Sequence, residues 1–250
     1  LLKNNLFENT PSIFNYGASD DAFFSKIGLT FPYAKPVEIS KYLIMSIHPK
    51  PKIILDFFAG SGTSLHAILE LNKVYKNIQG IIVTNNEVDE KTTKKLLKNN
   101  IQKGSKEYEA EGICRKVTYP RLSRLIAGYK SSSGDIIDGF NSNNLRYYKC
   151  DFIPREPSLQ NKRQLTKSAT DLLNIKENCY AECTSEFISV NQSWIKLFTD
   201  ELSQFLCIIY DDEKIEDAVI VLKQLIDDRQ LEKSVKVYVF SNGQYPYTEE

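Results

Sequence analysis

A glycine-rich turn between an apolar run and a helix is the part of this sequence best suited to chemistry. Residues 53–72 read IILDFFAGSGTSLHAILELN, so that Asp56 precedes the turn AGSG and hydroxyl residues follow it. Gly60 and Gly62 let the backbone turn sharply and let a ligand approach the main chain, and the first turn of the next helix offers free N–H groups. The turn predicts a site for a nucleotide-type cofactor at the carboxyl end of a strand. The alternative is a tight turn that binds nothing.

The spacing within this turn disfavours other common site classes. It is not G-x-x-x-x-G-K-[ST], which disfavours a P-loop, and Leu65 stands where a dinucleotide fold has its third glycine. The only two histidines are His48 and His66, and the CxxxC pair Cys179 and Cys183 has no second pair or nearby histidine. We therefore predict no metal site.

The elements that must position the turn alternate between strands and helices. Residues 53–58 and 80–84 are short apolar runs typical of strands buried on both faces. This alternation predicts an α/β fold with a mainly parallel sheet. Around the two strands, helical spacing predicts helices near 20–26 and over 35–47, 63–71, 89–103 and about 120–130.

The remainder of the chain predicts a second unit. Its clearest part is a strand–helix–strand crossover over 204–211, 213–227 and 235–241. The acids at 211–213 mark either a site at a strand end or a helix N-cap. We further predict a loop or hairpin at 130–144, a strand at 145–153, a linker at 154–164 and a helix at 164–175, and hence domains over 1–150 and 191–250 joined by 151–190.

The composition is that of an ordinary globular protein. Of 250 residues, 42% are hydrophobic and 26% are charged. The net charge is zero, so the overall charge does not indicate a nucleic-acid-binding protein. No apolar run reaches the length of a membrane span, and the first residues show no signal-peptide pattern. The five scattered cysteines favour reduced thiols, and we predict a cytoplasmic protein without a membrane partner.

Four ordered segments resemble the amino-group DNA methyltransferases of bacterial modification systems. LDFFAGSGTSLHAILELN resembles their cofactor motif, and FPYAKPVEISKYLI resembles the motif that precedes it in the circularly ordered class. IIVTNNE and GICRKVTYPRLSRLIAGY look like the continuation in adenine-specific methylases of the Type III kind. The resemblance covers about residues 20–130. It implies part of a Rossmann-like methyltransferase sheet, and S-adenosylmethionine as the cofactor.

The resemblance also implies roles for single residues. Asp56 accepts from the cofactor's α-ammonium, and Gly60 and Gly62 leave room for its chain. Lys35 belongs to the motif that contacts the carboxylate side of the cofactor. The alternative is that Lys35 is a solvated surface lysine that contacts no ligand. Glu87 is the candidate for the ribose hydroxyls, although Thr84, Asn85 and Asn86 hold the place where the family usually has its acid. The full cofactor-binding set is Lys35, Pro36, Asp56, Phe58, Gly60, Ser61, Gly62, Thr63 and Glu87. For Phe57 we predict core packing.

The acceptor half of the reaction is missing from this sequence. Methylating the N6 amine of a flipped adenine needs acceptors for the amine and a stacking partner, which an Asp-Pro-Pro-Tyr-type motif supplies in the family. FPYA at 31–34 lacks the acid and IPREP at 153–157 lacks the aromatic residue. We therefore expect no catalytic residue here, and a C-terminal piece of a longer methyltransferase. The alternatives are a non-catalytic methylase-like interaction module and a methylase of RNA or protein.

Partners follow from the same resemblance. DNA is the expected substrate of the full-length protein, a restriction subunit is a candidate partner of the C-terminal unit, and a second copy could form a homodimer. Tyrosines alternate with basic residues late in the resembling region, which could track phosphates or form a solvated helix face. These basic residues are Arg115, Lys116, Arg121, Arg124 and Lys130.

Overall fold

The chain forms two compact units that divide between Lys149 and Cys150. The computed structural model describes residues 19–47, 50–156, 158–183, 193–201, 204–229 and 235–241. His48 lies outside these ranges. In the part of the chain so described, every helix is too short or too polar to cross a membrane.

A strand–helix–strand crossover forms the centre of the first unit. Strand β1 (Ile53–Asp56) pairs in parallel with β2 (Gln79–Ile82), and helix α3 (Thr63–Tyr75) connects them. Gly80 has no side chain where Leu65 and Ile68 of α3 pack, since a Cβ there would lie 2.3 and 2.8 Å from their methyl carbons. The predicted strands and helix are confirmed, with bounds shifted by a few residues.

Helices surround this crossover and share its core. The buried residues come from three of the helices and from Ile78 just before β2, and Ile54 of β1 and Ile82 of β2 pack against them. These helices confirm the predicted ones. A short antiparallel hairpin with two residues in each strand completes the unit, as one of the two alternatives for 130–144 predicted. The remaining elements are α1 (Asp21–Lys26), α2 (Val37–Ser46), α4 (Glu90–Lys98), α5 (Lys106–Ala110), a π-helical turn (Cys114–Thr118), α6 (Tyr119–Ala127), β3 (Tyr129–Lys130) and β4 (Ile136–Ile137).

One prediction about the first sheet is wrong. The apolar run that forms β1 is covered on one face only, because Ile53, Leu55 and Phe57 have 61%, 49% and 62% of their surface exposed. Phe57 is therefore not a core residue. Two parallel strands are all that the described residues contribute here, so a full Rossmann-like sheet is not seen among them.

The second unit is a four-stranded sheet covered on both faces. Helix α8 (Ile215–Arg229) packs on one face and α7 (Leu159–Glu177) on the other. The crossover through α8 is parallel, as predicted. The two antiparallel strands that precede it were not predicted. In sheet order the strands are β5 (Ala181–Glu182), β6 (Ile195–Thr199), β7 (Phe205–Ile209) and β8 (Val235–Val239).

Three further predictions concern residues 145–213. Residues 145–153 form no strand, so that prediction is wrong. The predicted helix at 164–175 is longer, because α7 begins at Leu159 inside the predicted linker. Among the acids at 211–213, the Asp211 carboxylate accepts from the Glu213 N–H at 3.1 Å and caps the turn that leads into α8. The capping alternative is therefore confirmed.

Candidate functional site

The glycine turn lies at the carboxyl ends of the two parallel strands. Beyond β1, the Ala59 N–H donates to the Val83 carbonyl at 3.1 Å, and the Val83 N–H donates to the Asp56 carbonyl at 2.7 Å. Gly60 and Gly62 have φ values of 51° and 83°, in the left-handed region that side chains disfavour. The strand ends, the turn and the start of α3 thus form one hydrogen-bonded corner.

Helix α3 begins at this corner without a side-chain cap. Its N-cap residue is Gly62, and its first internal hydrogen bond runs from the His66 N–H to the Gly62 carbonyl at 3.1 Å. The N–H groups of Thr63, Ser64 and Leu65 therefore have no acceptor one turn earlier. These N–H groups and the helix dipole together suit a negatively charged group.

Asp56 provides the negative charge beside this helix start. One carboxylate oxygen accepts from the Phe58 N–H at 2.9 Å, and the other accepts from the Ser64 hydroxyl at 2.6 Å. These two hydrogen bonds hold the turn in its conformation, so Asp56 has a structural role. A carboxylate has about four acceptor positions, so Asp56 retains capacity for a ligand donor.

The hydroxyl groups of Ser61 and Thr63 face the protein interior. Both residues are buried, and the Arg121 Nη1 atom donates to their hydroxyl oxygens at 3.2 and 3.1 Å. A ligand at the corner would therefore meet the main chain of these two residues. Their assignment to the cofactor site stays a prediction.

Helix α6 and the residue before it support the turn from behind. The Thr118 hydroxyl donates to the Gly60 carbonyl at 2.5 Å. A Cβ on Gly62 would lie 3.1 Å from the Thr118 methyl group and 3.4 Å from Leu122, whereas a Cβ on Gly60 would approach only the Phe58 carbonyl, at 4.0 Å. Gly60 thus leaves open space where the predicted ligand chain would pass, and Gly62 allows close protein packing.

The basic stretch around α6 does not form one phosphate-tracking surface. Arg121 is fully buried, and Arg124 donates to the Ile27 carbonyl. Lys116 is exposed but pairs with Glu111. These charges were predicted as one set, because basic residues on an amphipathic helix normally point to solvent. The sequence signal that was missed is the spacing of Thr118, Arg121 and Leu122. At i, i+3 and i+4 these residues share one helix face, which here points inward.

The other predicted cofactor residues have exposed or intermediate positions. Phe58 has 94% of its surface exposed next to the turn, and Lys35 is also exposed. Pro36 is the N-cap residue of α2. The exposed Glu87 borders a shallow cavity of about 400 Å³ whose other lining residues come mainly from α4 and its surroundings.

Asn86 holds the loop after β2 in place. Its side-chain amide donates to the Glu109 carbonyl at 2.7 Å, and its side-chain oxygen accepts from the Arg115 N–H at 3.1 Å. Among the described residues, no group of three or more His, Cys, Asp and Glu side chains could hold a metal ion.

Comparison with known proteins gives one match in the region of this corner. Residues 9–111 match a family model of the N6 and N4 methyltransferases, described as DNA methylase. The matched segment is less than half of the chain. It contains the turn, Asp56 and α3, and it ends before Thr118 and Arg121. No curated protein matches the chain. The family match supports an N6 or N4 DNA methyltransferase.

Proposed function

We propose that this chain carries the S-adenosylmethionine-binding part of a DNA methyltransferase that acts on the N6 amine of adenine in a restriction–modification system. The observation that carries the proposal is the uncapped start of α3 beside Asp56, at a turn with two left-handed glycines. This corner presents donors for a carboxylate and an acceptor for an ammonium group side by side. The methionine end of the cofactor carries both of these groups.

Each predicted residue has a role in this proposal. The N–H groups of Thr63, Ser64 and Leu65 receive the cofactor carboxylate, and Asp56 accepts from the ammonium group. The open space at Gly60 admits the chain of the cofactor. Phe58 offers an exposed ring, Lys35 and Pro36 are assigned to the carboxylate side of the cofactor, and Glu87 accepts from the ribose hydroxyls. Ser61, Gly62 and Thr63 shape the turn from within.

The acceptor chemistry requires a further element. This sequence contains no Asp-Pro-Pro-Tyr-type motif, and the target amine needs such acceptors once the adenine is flipped. We propose that a segment of the Type III Mod-like kind supplies these acceptors. DNA is bound by the whole protein, and a restriction subunit is a candidate partner. The exposed face of β1 supports the need for further structure beside this sheet.

Calorimetric titration with S-adenosylmethionine tests the cofactor proposal. We expect the chain to bind, and we expect Asp56→Ala to weaken binding about 10- to 100-fold, because it removes a charged acceptor. Asp135→Ala is the matched control, since Asp135 also accepts hydroxyl hydrogen bonds in a turn of the same unit. Equal binding by the wild type and Asp56→Ala would contradict the role of Asp56.

A methyl-transfer assay tests the division of labour. With labelled cofactor and adenine-containing DNA, we expect no transfer by this chain alone. Detectable transfer would contradict the proposed need for a separate acceptor element. A folded chain that binds no S-adenosylmethionine would instead favour the non-catalytic interaction module.

A further inference from the structure

One fully buried arginine connects the glycine turn to three helices. Arg121 of α6 has no exposed surface, and its Nη1 atom contacts the Ser61 carbonyl at 3.3 Å in addition to the two hydroxyl groups of the turn. Its Nη2 atom lies 2.9 Å from His66 Nδ1 on α3 and 3.4 Å from an Asp20 carboxylate oxygen. That same Asp20 oxygen accepts from the Val37 N–H at 3.2 Å, at the first residue of α2.

The surroundings of Arg121 compensate for the burial of its charge. A buried cation is costly unless it is paired and hydrogen-bonded. The guanidinium carbon lies 4.7 and 5.2 Å from the ring centres of Phe24 and Phe23, within cation–π distance. Burial lowers the Arg121 pKa to about 10, which keeps the side chain charged at neutral pH. Its buried Nε atom has no hydrogen-bond partner among the residues that the structure describes, so not all of its donors are satisfied.

The arginine also determines the protonation pattern of His66. A guanidinium only donates hydrogen bonds, so the Nδ1 atom of His66 must accept. The ring proton then lies on Nε2, which is 3.4 Å from a Glu70 carboxylate oxygen. Glu70 in turn accepts from the Lys41 ammonium group at 2.7 Å. The hydrogen bonds thus continue from the turn to the surface of α2.

These contacts act on the main chain that would meet a ligand. The Nη1 atom holds Ser61 and Thr63, which lie on either side of Gly62, the N-cap of α3. If the guanidinium is lost, two hydroxyls and a carbonyl in the buried side of the turn lose their donor. The turn is then free to change conformation, and the N–H groups at the start of α3 change direction with it.

We propose that Arg121 is a positioning residue that holds the glycine turn and the start of α3 in a ligand-ready conformation. The inference rests on the proposed cofactor site, which it deepens. Arg121 does not touch the ligand and acts through Ser61, Thr63 and His66. A lysine in its place keeps the charge but has one nitrogen, which cannot reach the turn, His66 and Asp20 together.

The test compares Arg121→Lys with Arg124→Lys, a matched control on the same helix. We expect Arg121→Lys to remain folded and to bind S-adenosylmethionine about 10-fold or more weakly. We expect Arg124→Lys to bind within about 2-fold of the wild type, because among the described residues Arg124 donates only to the Ile27 carbonyl. Should Arg121→Lys fail to fold, Ser61→Ala removes one of its acceptors and is expected to weaken binding in the same direction. A folded Arg121→Lys or Ser61→Ala that binds as well as the wild type would overturn the inference.

Two spectroscopic measurements separate this inference from the cofactor proposal. The ¹⁵N shifts of His66 should show an Nε2–H tautomer in the wild type and in Arg124→Lys, and a changed pattern in Arg121→Lys. Amide exchange at residues 60–65 should be faster in Arg121→Lys than in Arg124→Lys. If the wild type binds no cofactor, the proposed function fails, and these two measurements still decide the inference. Unchanged His66 shifts and unchanged exchange would overturn it.

Discussion

At the scale of single residues, the two glycines of the turn have different functions. Both have positive φ, yet only Gly62 is close to neighbouring side chains, those of Thr118 and Leu122. Gly60 faces open space. The sequence predicted the sharp turn and Asp56 beside it, because glycine spacing reports backbone conformation directly. It could not predict which glycine faces a ligand and which faces α6, since that depends on a helix more than 50 residues away.

Gly62→Ala should destabilise the first unit more than Gly104→Ala does. Both positions have φ near 84°, so a left-handed alanine costs about the same at each. A Cβ at Gly104, however, would meet no atom of the described residues within 4 Å, apart from its chain neighbours. The close contact at Gly62 should add about 1–2 kcal/mol to the loss of unfolding free energy. Urea denaturation of the two variants measures this difference, and equal losses would contradict the packing role of Gly62.

At the scale of elements, helix α3 links the turn to a chain of ionisable groups. Burial lowers the pKa of His66, and the hydrogen bond from His66 is the main cause that lowers the pKa of Glu70 to about 2. Both groups bind protons more readily in the unfolded chain. Their contributions to stability are therefore present at neutral pH and are lost as the pH falls, from below about 6.5 for His66 and from below about 4.5 for Glu70. Burial raises the pKa of Asp20, which acts in the opposite direction near and above pH 3.8.

His66→Gln should flatten the dependence of stability on pH just below pH 6.5. One histidine of lowered pKa gives a slope of at most about 1.4 kcal/mol per pH unit. Urea denaturation between about pH 5.5 and 7 measures the slope. His48→Gln removes the only other histidine, so a slope that survives this change comes from His66. A slope unchanged in His66→Gln would contradict the assignment.

In the second unit, Glu177 joins the end of α7 to the edge strand β8. Its carboxylate accepts from the Lys236 ammonium group and the Tyr238 hydroxyl, and these bonds hold its pKa below the ordinary value. We expect Glu177→Gln to lower the free energy of unfolding by about 1–2 kcal/mol. Glu182→Gln is the control, because the Glu182 side chain is 35% exposed, against 6% for Glu177, and its pair with Lys196 should contribute about 0–1 kcal/mol. Denaturation at neutral pH compares them, and equal effects would contradict a special role of Glu177.

At the scale of the whole molecule, the sequence predicted the order of elements better than their coverage. Both crossovers were predicted, because apolar runs and helical periodicity are local signals. The apolar run at 53–58 predicted burial on both faces, yet only the face toward α3 is covered. Residues 205–209 form an equally apolar run, and there both faces are covered, by α7 and α8. Composition alone could not distinguish these two strands, because coverage depends on which other elements pack nearby.

The bare face of β1 should promote self-association. Ile53 and Leu55 are both about half exposed or more, and they lie on the same face of the strand at period 2. We expect Leu55→Thr to weaken concentration-dependent association on the order of 5-fold, because it removes apolar contact area and keeps a strand-forming residue. Sedimentation velocity over a concentration series measures this. Leu172→Gln, at an exposed position on α7, is the control, and an equal effect of both changes would contradict the role of this face.

The location of the cofactor is the central claim, and amide spectra recorded during a titration with S-adenosylmethionine test it most directly. The ¹H–¹⁵N resonances of Gly60, Thr63, Ser64 and Leu65 should shift first and furthest, because their N–H groups face the predicted carboxylate and chain. Residues of the second unit should not shift. Saturable shifts that are largest at the corner of β1 and α3 would establish the site. No shifts there, or shifts only around the cavity bordered by Glu87 and Lys94, would contradict it.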